Sequence, residues 1–293
     1  MADVVATVVR INGVETLVRQ AGSPHSSEAV VCVHGNPGSS EDFDELVPYI
    51  GDFARVIAPD MPGFGKSERA AAFPYTVDGF ARHLDAILQH LGVRRAHLVL
   101  HDFGGPWGLA WAAAHADRVR SLVLINIGVL PGYRYHKYAH MWRTPLLGEL
   151  VIFGTTRASF KLALNLDNPK PLPDAILNRM FDHWDRGSRR AVLSLYRATS
   201  AAEVSSVKQG EMLAPHALPA LVVWGTGDPN IPVRYAGAQQ QFFDADIQKI
   251  DGAGHWPMID EPDRTRALVL PFLRSRYAAG EKTPGSGRTD FTT

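Results

Sequence analysis

Three side chains able to do chemistry stand where strand-like runs give way to loops. Asp102 lies between the apolar run Ala96–Leu100 and a helical pattern opened by Gly104-Gly105. Asp228 follows the run Ala220–Trp224, within Gly225-Thr226-Gly227-Asp228-Pro229, and His255 follows the run Asp246–Ile250, behind Gly252 and Gly254. A carboxylate is ionised at neutral pH and can attack without help from a base. At a carbonyl carbon its adduct would be a labile anhydride, so it suits acyl transfer poorly. At a saturated carbon it displaces a leaving group and becomes an alkyl ester. A histidine oriented by a second carboxylate can activate the water that hydrolyses such an ester. Taken alone, Asp102 also reads as an ordinary helix N-cap.

Other chemistries lack their residues. No Gly-x-Gly-x-x-Gly opens a helix, no Gly-x-x-x-x-Gly-Lys-Ser/Thr phosphate loop occurs, and no His or Cys pair has metal-ligand spacing. No cofactor and no metal are expected. Lys+Arg and Asp+Glu both total 30, and no basic run stands out, which gives no sign of a nucleic-acid or membrane-surface partner. Cys32, the single cysteine, sits in an apolar run and cannot form an internal disulfide. The start of the chain shows no basic leader followed by an apolar stretch, and no segment approaches the length of a membrane span. A cytoplasmic location is therefore expected, with a small apolar substrate and water as partners. A homodimer is compatible with the sequence.

With 293 residues, 45% of them hydrophobic, the chain can bury one large core. Val4–Ile11 and Glu15–Gln20, joined by Asn12-Gly13, read as a hairpin. Ala29–Val33 is an apolar run of the kind covered on both faces, and Arg55–Ala58, Ala96–Leu100, Ser121–Asn126, Ala220–Trp224 and Asp246–Ile250 are further strands. Helical patterns lie between them at Val77–Leu91, Gly105–His115 and Val233–Phe243, and Pro262–Arg276 closes the chain. Strands alternating with helices predict an α/β fold with a mostly parallel sheet. From about Gly128 to Ala214 the alternation stops and helix formers and aromatics take over. The expected organisation is a core of residues 1–128 and 215–277, a helical cap over 129–214, and a disordered tail over 278–293.

The stretch His101-Asp102-Phe103-Gly104-Gly105 after a strand resembles the nucleophile elbow of the α/β-hydrolase fold, with Asp in place of Ser or Cys. Leu100 departs from the small residue usual two positions before the nucleophile. The resemblance extends to the turn at Asp228, the loop at His255 and the segment His34-Gly35-Asn36-Pro37-Gly38, and Asp60–Ser67 matches a further stretch read as structural. These motifs span about residues 30 to 262, nearly all of the core. The resemblance implies an eight-stranded-type sheet with an inserted helical cap. It implies Asp102 as nucleophile, His255 as general base and Asp228 as the carboxylate orienting it. Asn126, where some relatives carry that acid, has no carboxylate to offer. The backbone N–H groups of Asn36 and Phe103 are expected to form the oxyanion hole. His34, Tyr138, Trp142 and Trp256 are expected to line the pocket.

Two groups within that family attack alkyl carbon with aspartate: epoxide hydrolases and haloalkane dehalogenases. An epoxide opens to an alkoxide that needs a proton donor. Ala191–Thr199 resembles the epoxide-hydrolase cap helix, which points to Tyr196 as that donor, and a packing tyrosine is the plainer alternative. A second donor is less defined, with Tyr138 the nearest tyrosine and His140 another candidate. A halide needs N–H donors instead. Asn36 fits the dehalogenase pattern, but Phe103 replaces the tryptophan that usually follows the nucleophile, and losing such a bond costs on the order of 1.5–3 kcal/mol. The sequence therefore points to an epoxide hydrolase forming a vicinal diol, with haloalkane dehalogenase as the alternative. A non-catalytic binding protein of this fold is the distant third, since such relatives often lack one of the three residues.

Overall fold

The computed structural model describes residues 1–166 and 168–281. Eight strands form one sheet in the order β1-β2-β4-β3-β5-β6-β7-β8. They are β1 (Val5–Ile11), β2 (Val14–Ala21), β3 (Glu28–Val33), β4 (Val56–Pro59), β5 (Arg95–His101), β6 (Val119–Ile125), β7 (Pro219–Gly225) and β8 (Asp244–Ile250). β2 pairs antiparallel with β1 and β4, and every other pair is parallel. The Asn12-Gly13 turn joins β1 to β2 with both residues at positive φ, 49° and 84°, as a tight hairpin requires. All six residues of β3 are buried, Cys32 among them, and so is nearly all of β5. These continuous apolar runs are what a parallel sheet covered on both faces demands.

Twelve α-helices occur among the described residues. In the core are α1 (Val47–Gly51), α2 (Val77–His90), α3 (Gly104–Ala114), α11 (Pro257–Asp260) and α12 (Pro262–Glu281). α2 starts where Thr76 accepts the Gly79 N–H, and it buries Phe80, Leu84, Ile87 and Leu88 on one face. Between β6 and β7 the chain makes only helices: α4 (Lys137–Arg143), α5 (Leu147–Gly154), α6 (Arg157–Leu166), α7 (Asp174–Asp182), α8 (Arg186–Ala198), α9 (Ala201–Ser205) and α10 (Val207–Leu213). α8 is the anchor of this insert. Asp185 caps it, its buried side includes Val192, Leu195 and Tyr196, and Arg189 donates to the carbonyls of Ile152, Phe153 and Thr155 at the end of α5.

Two expectations need correction. The helix expected over Val233–Phe243 is a pair of short 3₁₀ turns, Val233–Tyr235 and Gly237–Gln241. Gln239 explains the break, because its buried amide bonds the N–H and C=O of Val129 and the Tyr235 carbonyl. The last helix runs to Glu281, past the Arg276 end expected, and the rest of the expected tail, 282–293, lies outside the described residues. Among the described residues, no helix is long and apolar enough to cross a membrane.

Candidate active site

β5 ends at His101, and the next residue, Asp102, adopts φ 48° before α3 begins. That strained left-handed turn lifts its carboxylate off the sheet. Asp102 is not the helix N-cap. Phe103 holds that place, and no side chain caps α3. Close approach is met by glycine: a Cβ on Gly35 would fall 2.2 Å from Asp102 Oδ1. The departure at Leu100 is also resolved here. A Cβ on Gly108 would lie 2.4 Å from Leu100 Cδ2, so the helix supplies the small residue that the strand lacks.

Asp102 Oδ1 accepts the Asn36 backbone N–H at 2.7 Å, and its Oδ2 lies 3.5 Å from His255 Nε2. His255 Nδ1 donates to Asp228 Oδ2 at 2.7 Å. Asp228 is in turn held by the N–H groups of Asn230 and Ile231 at 2.8 and 3.0 Å. Burial favours a neutral Asp102, but the hydrogen bond and charge of His255, the proximity of His101 and the Asn36 N–H outweigh it and hold the carboxyl at about 2. Burial works against a charged His255 as well. The Asp228 charge and hydrogen bonds to both aspartates overcome it and lift the imidazole to about 10. At rest the arrangement is an imidazolium between two carboxylates. If Asp102 becomes an ester, one of those anions disappears, and His255 gives up its proton more readily at the step where a base is needed.

A small cavity of about 60 Å³ opens over Asp102 and His255. Asn36, His136, Tyr138, Trp142, Tyr196 and Trp256 are among its walls. Tyr196 is 2% exposed, packs edge-on against Phe103 (5.1 Å between rings) and tilted against Trp142 (4.9 Å), and its hydroxyl lies 3.5 Å from His136 Nε2. Burial first, then the Asp102 charge, raises its phenol well above the ordinary range, so it keeps its proton. The Asn36 side chain is close enough to act on that hydroxyl, yet its own amide atoms have no hydrogen-bond partner. The buried indole N–H of Trp256 is likewise unpartnered.

Residues 28–262 match the family described as the alpha/beta hydrolase fold. The chain belongs to that family. It is 36% identical over 287 residues to a cis-3-alkyl-4-alkyloxetan-2-one decarboxylase of Shewanella oneidensis, covering 90% of this chain and 88% of that protein. Among solved structures it is similar to the haloalkane dehalogenase DbeA of Bradyrhizobium elkani, with a TM-score of 0.84, 23% identity and coverage of 94% and 100%. It is also similar to the epoxide hydrolase CorEH, with a TM-score of 0.75, 18% identity and coverage of 92% and 100%. At those identities the two structures speak to the α/β-hydrolase fold alone.

Within this α/β-hydrolase site, Asp102, Asp228, His255, Asn36, Phe103, Tyr138, Trp142, Tyr196 and Trp256 are brought together. His34 does not line the cavity. It is fully buried, with Nδ1 against the Gly35 carbonyl at 2.8 Å and Nε2 accepting the Met61 N–H at 2.9 Å, and so it ties the Asn36 loop to the Asp60 loop. His140 is exposed on α4, whereas His136 stands in the cavity wall. Tyr135, a further aromatic nearby, donates its hydroxyl to the Thr199 carbonyl.

Three polar residues of the site escaped the sequence reading. Asn126, considered only as a missing acid, donates to Asp228 Oδ2 at 2.7 Å and to the Gly254 carbonyl, and accepts the Gly225 N–H. Its φ of 47° at the end of β6 is the matching backbone sign. Asn168, in the insert, accepts the His255 backbone N–H at 3.0 Å and donates to Asp260 at 2.9 Å, while Asp260 accepts the Gly254 N–H at 2.7 Å. His101 donates from Nε2 to the His255 carbonyl at 2.8 Å and is pushed down to about 4, chiefly by burial and then by His255. Among the described residues, no three His, Cys, Asp or Glu side chains are grouped to hold a metal ion.

Proposed function

We propose that this chain opens a strained oxygen ring, most directly an epoxide, by attack of Asp102 at a saturated carbon. The observation that carries this reading is the buried Tyr196 hydroxyl in the wall of the small cavity above Asp102. Attack forms the Asp102–carbon bond and breaks the ring carbon–oxygen bond. The released oxygen takes a proton from Tyr196, with His136 placed to replace it. His255, oriented by Asp228, then deprotonates a water that adds to the ester carbonyl, with the oxyanion held by the Asn36 and Phe103 amides, and the diol leaves. The helices of residues 129–214 act as the cap that closes this cavity. The decarboxylase relative, whose name specifies an oxetan-2-one, extends the reading to a four-membered ring opened at its alkyl carbon.

Haloalkane dehalogenation is the second reading, supported by one specific observation. The Asn36 amide and the Trp256 indole N–H are buried without partners, and both residues line the cavity, where a halide would need such donors. Phe103, directly after Asp102, supplies none.

The test is intact-protein mass spectrometry on His255→Gln, whose ester is no longer hydrolysed. A gain equal to the whole of an added aryl or alkyl epoxide, mapped to Asp102, is the expected result. A gain of the alkyl group alone from a bromoalkane, with bromide released and no epoxide adduct, would replace the first reading with the second. No adduct from either, or from an oxetan-2-one, would favour a non-catalytic binding role.

A further inference from the structure

The cavity over Asp102 holds little more than a reacting ring. It adjoins a second cavity of about 380 Å³ inside the insert, between α5 and α6. Pro37, Tyr138, Trp142 and Leu164 line both, so the two meet at those four side chains. No residue lining the second cavity carries a formal charge. Its two aliphatic hydroxyls are already engaged within their own turns: Thr155 donates to the Val151 carbonyl at 2.8 Å, and Ser159 to the Thr156 carbonyl at 3.1 Å. The remaining wall is aliphatic or aromatic, with Val151, Phe160 and Ala163 prominent. Apart from the Tyr138 hydroxyl and the buried, unpartnered Trp184 indole N–H, the wall gives a polar ligand little to replace its water, whereas an alkyl chain loses nothing on entering.

The mouth carries the same character. Leu150 lines the cavity and is 74% exposed. Of the ten large hydrophobic residues exposed among the described residues, six fall between 146 and 166. Exposed apolar side chains gathered on one segment mark a surface that meets apolar material.

We infer that the α5–α6 cavity binds an unbranched alkyl tail of the substrate whose ring sits at Asp102, so that long-chain alkyl epoxides are the preferred class. This rests on the ring-opening reading above. Ring strain and the Asp102 attack provide the reaction, and the tail cavity provides selectivity through buried methylene groups.

The experiment compares kcat/KM for 1,2-epoxydodecane and 1,2-epoxybutane in the full chain and in two variants that fill opposite walls, Ala163→Trp on α6 and Val151→Trp on α5. The unaltered protein should favour the longer epoxide by about tenfold or more. At least one variant that retains the thermal melting point should bring that ratio close to unity. Equal rates on the two epoxides in the unaltered protein, or a ratio unmoved in both folded variants, would overturn the tail site. If neither epoxide is opened, the epoxide reading fails, and calorimetric titration with dodecane-1,2-diol decides on the tail site. Saturable binding weakened in the filled variants upholds it, and no binding to the unaltered protein ends it.

Discussion

The ends of the strands and the helical insert above them are built on opposite terms. At the strand ends the polar atoms around Asp228 and the His255 backbone are committed, although the Asn36 amide, His101 Nδ1 and the Trp256 indole are not. Asp228 accepts four bonds, Asn126 makes three, and His255 is gripped through Nδ1, its backbone N–H and its carbonyl. The insert offers aromatic and aliphatic walls over the same cavity, with few donors and a leucine-rich outer rim. Charge needs fixed dipoles to hold it in place, whereas alkyl surface needs only exclusion of water. On the proposed reading the lower half carries the reaction and the upper half the selection, and Tyr196 and Asn168 are among the contacts between them.

Removing the proposed nucleophile should break the lower half outright. Asp102→Asn should abolish turnover, a loss on the order of 10⁴-fold or more, measured as initial rate with a mass check that no deamidation has occurred. Activity close to that of the unaltered protein would end the covalent mechanism. Tyr196→Phe tests the contact from above. It should slow epoxide opening by roughly 10²- to 10³-fold while sparing bromide displacement. Equal loss on both substrates would make Tyr196 a packing residue.

Asn168→Ala asks whether the insert also positions His255. It should slow hydrolysis of the Asp102 ester by about tenfold to a hundredfold and leave ester formation nearly unchanged, as resolved by rapid-quench mass spectrometry. Equal slowing of both steps would indicate general loosening of the site. The smallest effect is on stability. Burial, despite the Arg179 charge and the Ser39 N–H, raises Asp42 to about 8. A carboxyl whose folded pKa lies above its unfolded value of about 4 stabilises the fold below that pH, and the benefit is lost as pH rises through about 8. The melting temperature should therefore fall between pH 5 and 9, and Asp42→Asn should flatten that fall. An identical slope in the variant would contradict the assignment.

Legibility followed the range of the interaction. The buried strands, the Asn12-Gly13 hairpin and the helix over Val77–Leu91 were readable because burial on both faces, a two-residue turn and a one-sided apolar period each act within a few residues. The Asp102 elbow was readable for the same reason, as a strand, a turn and two glycines in succession. His34 was misplaced because an imidazole beside the elbow loop can face the cavity or the next loop, and only the Met61 N–H decides between them. The Val233–Phe243 segment was misread because a Gln239 side chain bonded to distant backbone outweighs local helical preference.

The sequence by itself determined the sheet and the chain order of aspartate, aspartate and histidine, since apolar period and loop chemistry are local properties of the chain. Only the tertiary structure decided that Asn126 and Asn168 clamp the histidine loop, that Gly108 makes room for Leu100, and that a second apolar cavity adjoins the first. The asparagine clamps join residues 87 to 128 apart, and even the Gly108–Leu100 contact, close in the chain, is set by how a helix packs on its strand.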